Sequence, residues 1–515
     1  MVPNNIRCPL KFSLKNVTAI FFLLLILAAN ALMLAKIAFS GFNLFDWGSF
    51  LDASWRIFRG QKPFEDFYYS TGPLHLYMNA FFFKIFGFGK TALLAHIVSV
   101  SSILILVTFF VTRPKMPLAI SLLLTFLAAS SFYWTHPHPW YIYNAQFWGI
   151  LGYFALVWQL PFRGAKQAFW TGFLCGIMGI LSLMTKSDVG GANGLVFFAV
   201  LVLSEQKIKS VLGYISGVLL ALLAMCLLMS PMHYYENALQ TYGANRSSQI
   251  FRLLLIPVWF KNLYWLPLLA LPFAIQPLRK PYRVLFWLFL GIFLSAIFSL
   301  NVGSLRWRTH IPLMSTYLSV AFVILFHMRP LCVARKEKIR LWIVIAIMLL
   351  VTGLQIQRTV NHALILAKGQ WPKNDLYLQG NYTLRAAPFR GWHFDEISGP
   401  TLDGIVDFVH QNIPGEETLL ILTDFYIVNA LTGRESYRGI PFIWGAGDQS
   451  APGGYLKKVH ERITTKPPEW ILIHKEPAPY RINQMTDYLK ITDFILQNYR
   501  LVKNWGAIGM FRRTT

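Results

Sequence analysis

The chain has 515 residues, of which 55% are hydrophobic and only 14% charged, and its mean hydropathy is +0.46. Soluble domains carry roughly a quarter charged residues, so this chain cannot cover itself in water, and lipid is the solvent for much of it. The net charge of +24 does not point to nucleic acid, because the basic residues of the first two thirds sit mostly in short loops between apolar runs, as membrane topology requires.

A membrane-crossing helix needs about 20 mostly apolar residues. About eleven such stretches are present, beginning near Val17, Leu93, Pro117, Asn144, Ala168, Val189, Val211, Phe251, Val284, Ile311 and Leu341. The first lacks a clear small-residue cleavage pattern and is followed by further spans, so it reads as a span and not a signal peptide. Alternate loops are basic: Arg7, Lys11 and Lys15; Arg113 and Lys115; Arg163 and Lys166; Lys207 and Lys209; Arg279, Lys280 and Arg283; Arg329, Arg335, Lys336, Lys338 and Arg340. The positive-inside rule puts these loops and the N-terminus in the cytoplasm. An odd number of spans then puts the C-terminal part outside, in a periplasm or lumen.

The loop from Ser40 to Lys90 is long and carries Arg56, Arg59, Lys62, Lys84 and Lys90; long loops largely escape the charge rule. It reads as two short amphipathic helices, about Trp47 to Phe58 and Leu74 to Phe86, around a turn at Gly60 and Pro63, of the kind that lies in a membrane interface. Two domains are expected: a membrane bundle over 1–357, and a soluble α/β domain over 358–515. The latter holds 15 of the 23 acidic residues, and a composition shift of this kind marks a boundary. Its predicted elements are helices at Leu402–Gln411, Tyr455–Thr464 and Met485–Gln497, strands at Thr418–Thr423 and Trp470–His474, and a hairpin of Leu501–Trp505 with Ala507–Phe511. Gly445, Gly447, Gly453 and Gly454 surround Pro452 without a phosphate-binding spacing and read as turn glycines.

The four cysteines, Cys8, Cys175, Cys226 and Cys332, are isolated, which suggests neither a disulfide framework nor a cysteine zinc site. His136 and His138 in THPHPW have an HxH spacing, but the interleaved prolines favour an extended turn and no third ligand is in view.

Acids are scarce before residue 358: Asp46, Asp52, Glu65, Asp66, Asp188, Glu205, Glu236 and Glu337. Glu205 and Glu337 fall in basic cytoplasmic loops; the other six fall on the outer face. Asp46, flanked by Phe45 and Trp47, is either a partly desolvated carboxylate with raised proton affinity, suited to be a base, or the N-cap of the following helix. Asp52 lies one to two turns further on. Glu65 and Asp66 read best as partners of Arg56, Arg59 or Lys62. The outer-face cations are Lys186, beside Asp188 in LMTKSDVGG, then Arg246, and then Arg306 and Arg308 with His310 in NVGSLRWRTHIP. Arginines at a membrane boundary are costly unless paired and often mark an anionic ligand such as a phosphate; lipid headgroups or loop solvation are the plainer account.

The first-loop aspartate, the segment RIFRGQKPFEDFYYSTGPLHLYMNAFFFKIFG with its G-x-x-P-x-x-D-F at Gly60–Phe67 and G-P-L at Gly72–Leu74, and Lys186 after a small-residue-rich span together resemble the polytopic GT-C glycosyltransferases. The bacterial group akin to protein O-mannosyltransferases and lipid A aminoarabinose transferases is the most similar. The resemblance implies a bundle of about a dozen spans with an extracytoplasmic domain in a bacterial inner membrane. It implies a polyprenyl-phosphate sugar as donor, inverting transfer, and a glycan, lipid or protein acceptor. By the same resemblance Asp46 is the base, and Arg306, Arg308, Lys186 and Arg246 stabilise the leaving lipid phosphate, with Asp52, Glu65, Asp66, Asp188 and His310 near the substrates. Many members carry two adjacent acids where this chain has Asp46–Trp47, so no cofactor is certain and a divalent cation stays open. The rival classes are a transporter or flippase, which would place its ionisable residues near the midplane, a polymerase or ligase using a diphosphate-linked lipid, and a noncatalytic assembly subunit.

Overall fold

The computed structural model describes residues 14–42, 44, 46–69, 71–159, 164–236, 313–328, 335–370, 381–439, 453–474 and 491–514. The chain is mainly helical and is an integral membrane protein. Its first helices are α1 (Leu14–Ile37), α2 (Asp46–Phe58), α3 (Leu74–Phe86), α4 (Lys90–Thr112), α5 (Leu118–Ser131) and α6 (Tyr141–Gln159). They are followed by α7 (Ala165–Thr185), α8 (Ser187–Val202), α9 (Lys207–Leu228), α10 (Pro231–Tyr234), α11 (Leu313–Met328) and α12 (Arg335–Ala367). Among the described residues five helical segments are long and apolar enough to cross a membrane: Asn16–Ile37, α4, α7, α9 and Leu341–Ala367 of α12. Helices α5, α6, α8 and α11 also fall where apolar stretches are expected, α10 does not, and the stretches expected from Phe251 and Val284 lie outside the described residues.

Lipid-facing and protein-facing sides separate as a bilayer solvent demands. On α9, Leu212, Ile215, Leu219, Leu223 and Leu227 recur every three or four residues and are exposed, while Gly213 and Gly217 face α7. A Cβ on Gly213 would stand 2.0 Å from the Phe169 carbonyl oxygen, and one on Gly217 would stand 2.1 Å from that of Phe173. Gly172 and Gly176 of α7 make the reciprocal approach to Ser210 and Tyr214. Lipid is as apolar as leucine, so helices in it associate through such close backbone packing and through buried polar bonds. One of these bonds runs from Trp134 Nε1 to Asn30 Oδ1 (2.9 Å), and another from Asn30 Nδ2 to Ser101 Oγ (2.8 Å), joining α1, α4 and the turn after α5.

The C-terminal part contains the strands. A short pair, β1 (Tyr382–Thr383) and β2 (His393–Phe394), precedes α13 (Ser398–Asn412). A four-stranded sheet follows, made of β3 (Leu419–Leu422), β4 (Trp470–His474), β5 (Tyr499–Trp505) and β6 (Ile508–Arg513) in the order β3-β4-β6-β5. β3 and β4 are parallel, with Leu419 opposite Trp470; β6 is antiparallel to both β4 and β5. All four residues of β3 are buried, as expected for a parallel strand covered on both faces. α14 (Val428–Leu431), α15 (Gly453–Thr465) and α16 (Thr492–Asn498) complete this part. Of the helix expected over Met485–Gln497, the part from Thr492 is helical, while residues 475–490 lie outside the described ones.

The first loop supplies α2 and α3 over the expected ranges. α3 leaves Phe81, Ile85 and Phe86 exposed, an apolar side suited to lipid. The polar side of α2 turns instead into protein: Asp52 and Arg56 are buried beneath residues 434–437 of the C-terminal part.

Candidate functional site

Asp46 is the first residue of α2; its side chain lies outside the described ones. Its neighbour Trp47 is buried, and the Trp47 ring packs on the THPHPW turn, with centroids 3.4 Å from His138 and 5.5 Å from His136. Trp140 of the same turn packs on Phe50 of α2 at 5.7 Å, and Trp392 stacks on His138 at 5.8 Å. The two histidines therefore build an aromatic wall beside the opening turn of α2. Burial pushes His138 well below the usual histidine range, so its ring is neutral, and its Nε2 has no hydrogen-bond partner. The turn is entered through Tyr133 at φ 68°, and Phe64 at φ 67° lies in the Pro63–Phe67 turn. Both non-glycine residues in the left-handed region among those described thus border this end of the bundle, where local strain often accompanies function.

Lys186 is a single extended residue between α7 and α8. Its amide donates to Ser182 O (2.9 Å) and its carbonyl accepts from Gly190 N (2.9 Å). The reversal requires glycine at 190, since a Cβ there would stand 1.9 Å from the amide nitrogen of Leu183. Lys186 is 2% exposed and its ammonium pairs with Asp188 Oδ2, while Asp188 Oδ1 accepts from Val189 N (2.8 Å) in the first turn of α8. A carboxylate is favoured there by the helix dipole.

The two loci meet through the first loop. A Cβ on Gly72 would stand 2.0 Å from Met184 O, so the G-P-L turn lies directly on the residues before Lys186. His75 packs its ring 5.7 Å from Tyr141, whose ring lies tilted against Trp140 at 4.6 Å. Burial lowers the His75 pKa to about 3. Tyr234 closes the other side: its hydroxyl donates to Leu183 O (2.8 Å) and its ring lies 5.8 Å from Phe64. Burial, with the Asp188 carboxylate adding to it, holds this phenol protonated.

Asp52 is 6% exposed. Its Oδ2 accepts from Arg56 Nε (2.6 Å) and its Oδ1 from Ser436 Oγ (2.6 Å). Glu65 pairs with exposed Lys62 at 3.7 Å. Asp66 accepts from Lys62 N (2.9 Å) and pairs with Arg438 at 3.3 Å. Sequence reasoning had no view of Ser436, Arg438 or Trp392 as neighbours of this loop. Arg246, Arg306, Arg308 and His310 lie outside the described residues. Among those described, no group of three or more His, Cys, Asp or Glu could hold a metal ion.

No family model matches this sequence, and no curated protein matches it. Among solved structures, the chain is similar to ArnT from Cupriavidus metallidurans bound to undecaprenyl phosphate, at 13% identity and TM-score 0.49, over 97% of this chain and 98% of that one. It is similar also to the oligosaccharyltransferase of Archaeoglobus fulgidus in the apo form, at 11% identity and TM-score 0.45, over 88% of this chain and 70% of that one. ArnT is a lipid A aminoarabinose transferase, and both are GT-C glycosyltransferases, the class that the first-loop motifs resemble.

Proposed function

We propose that this protein is an inverting glycosyltransferase that moves a sugar, a hexose or pentose, from a polyprenyl-phosphate donor to an acceptor hydroxyl at the outer face of a membrane. The proposed setting is a bacterial inner membrane crossed by about eleven spans, with the N-terminus cytoplasmic and the C-terminal part periplasmic. The acceptor is a glycan, lipid or protein of the cell envelope.

The observation that carries this reading is the contact of Gly72 with Met184. It joins the first-loop motif to the Lys186 segment, two pieces far apart in sequence that the transferase reading needs at one site. Such a donor keeps its tail in the bilayer and its sugar phosphate at the boundary. The acceptor hydroxyl needs a base, and Asp46 is assigned that role. The leaving lipid phosphate gathers negative charge, which preorganised cations stabilise most effectively where water is excluded. Lys186 is assigned to it, together with Arg306, Arg308 and Arg246. Asp188 holds the ammonium in place until a phosphate competes for it. Trp140, half-buried at the edge of the aromatic wall, offers a flat face for a sugar ring.

The test is sugar transfer by purified wild type and Asp46→Asn with polyprenyl-phosphate sugars and membrane-derived acceptors, both proteins checked for folding. Loss of transfer with donor binding retained supports the base role. Equal transfer by both proteins removes Asp46 from that role. A wild type that binds no polyprenyl-phosphate sugar refutes the reading.

A further inference from the structure

The C-terminal part grips the first loop on both sides of Asp46. Upstream, Trp392 Nε1 donates to Gly41 O (2.8 Å), His393 N donates to Phe39 O (3.1 Å), and the Trp392 ring packs on Phe42 at 4.7 Å. Downstream, Ser436 Oγ donates to Asp52, Arg56 Nη1 donates to Tyr437 O (2.7 Å), and Gln61 Nε2 donates to Ser436 O (2.6 Å). Trp55 Nε1 donates to Arg434 O (2.7 Å). Between the two grips, a Cβ on Gly48 would stand in van der Waals contact, 3.5 Å, with Asp424 O. A buried ion pair is weak evidence for stability, and its best-attested use is to fix a register. The register fixed here is that of α2, whose first residue, Asp46, stands about 9 Å along the helix axis from Asp52.

We infer that Ser436 and Trp392 are positioning residues: by docking on both flanks of α2, the C-terminal part sets where Asp46 stands against the Trp47–His138 wall, and turnover depends on that docking. The activity readout rests on the transferase reading; the docking does not. A part that only added stability would lower the melting temperature of its variants and leave the turnover of the folded enzyme unchanged.

The experiment compares full-length Ser436→Ala, Ser436→Thr, Trp392→Phe and Asp46→Asn with wild type in detergent. It reads kcat and donor KM separately, together with amide hydrogen exchange over 46–58. Small misplacements of reacting groups act on the chemical step, so Ser436→Ala and Trp392→Phe are expected to lose about tenfold in kcat with donor KM unchanged. Ser436→Thr, which keeps the hydroxyl, restores the rate, and exchange over α2 quickens in the two impaired variants. Unchanged kcat in Ser436→Ala and Trp392→Phe, with Asp46→Asn inactive, overturns the inference and leaves the transferase standing. Should wild type transfer no sugar, exchange alone decides: unaltered protection over 46–58 in both variants overturns the docking role, and faster exchange supports it.

Discussion

Ser436 Oγ donates a 2.6 Å hydrogen bond to Oδ1 of Asp52, a residue 384 positions earlier in the chain. The other carboxylate oxygen of Asp52 is taken by Arg56. A carboxylate in the first loop of the membrane part thus has its buried interactions completed only when the C-terminal part is folded against it. This arrangement makes a clear demand on Arg56.

Arg56→Ala leaves the Asp52 charge buried beside Ser436 alone. Breaking a buried pair in this way is expected to cost about 3–5 kcal/mol, read as a lowered melting temperature in detergent. Replacing both partners at once, with Asp52→Leu and Arg56→Met, is expected to cost less than Arg56→Ala, because no uncompensated charge remains. A double variant less stable than the single one contradicts this account.

Gly213 of α9 lies where a Cβ would meet the Phe169 carbonyl oxygen at 2.0 Å, whereas a Cβ on Gly191 of α8 meets nothing within 4 Å. Gly213→Ala must push α7 and α9 apart, and overpacking of this kind costs about 1–3 kcal/mol. Gly191→Ala is expected to be neutral or slightly stabilising, since alanine is the better helix former. Thermal unfolding of the two variants side by side checks the contrast.

Lys186→Ala removes the cation assigned to the lipid phosphate and leaves Asp188 without that partner. If the ammonium stabilises the leaving group, kcat falls by about 100-fold, in the range seen for the loss of one preorganised donor. Lys186→Arg keeps the charge in a different shape and is expected to recover only part of the rate. A rise confined to donor KM, with kcat unchanged, would assign Lys186 to substrate binding instead.

The pH dependence of stability follows from His75, whose pKa burial lowers from 6.5 to about 3. In the folded protein the ring stays neutral down to that value, while in the unfolded chain it takes up a proton near 6.5. The unfolded state therefore binds more protons between these limits, and stability falls as pH drops through that window. His138, lowered in the same direction by burial, adds to the loss. Melting temperatures of wild type and His75→Asn, measured from pH 7 to pH 4, are expected to diverge at pH 7 and converge toward pH 4 as wild type loses the advantage of its neutral histidine. A constant difference across that range contradicts the assignment.

Elements whose signal is local were legible in the order of residues. Apolar runs long enough to cross a bilayer read directly as α1, α4, α7, α9 and α12, because a helix in lipid must satisfy its backbone within itself and cover itself in apolar side chains. The all-apolar run Leu419–Leu422, the strand Trp470–His474 and the final hairpin were legible for a similar reason: buried strands and tight turns leave short patterns of residue type. The functional candidates were legible only as scarce acids and cations at one set of loop ends. Tertiary structure alone decided which of them meet. Gly72 lies on Met184, Trp47 on His138, and Asp66 beside Arg438, and no period or spacing in the chain encodes these pairs. Each depends on where two distant backbones are held, and that is set by the summed packing of the bundle and the C-terminal sheet, not by the residues at the contact.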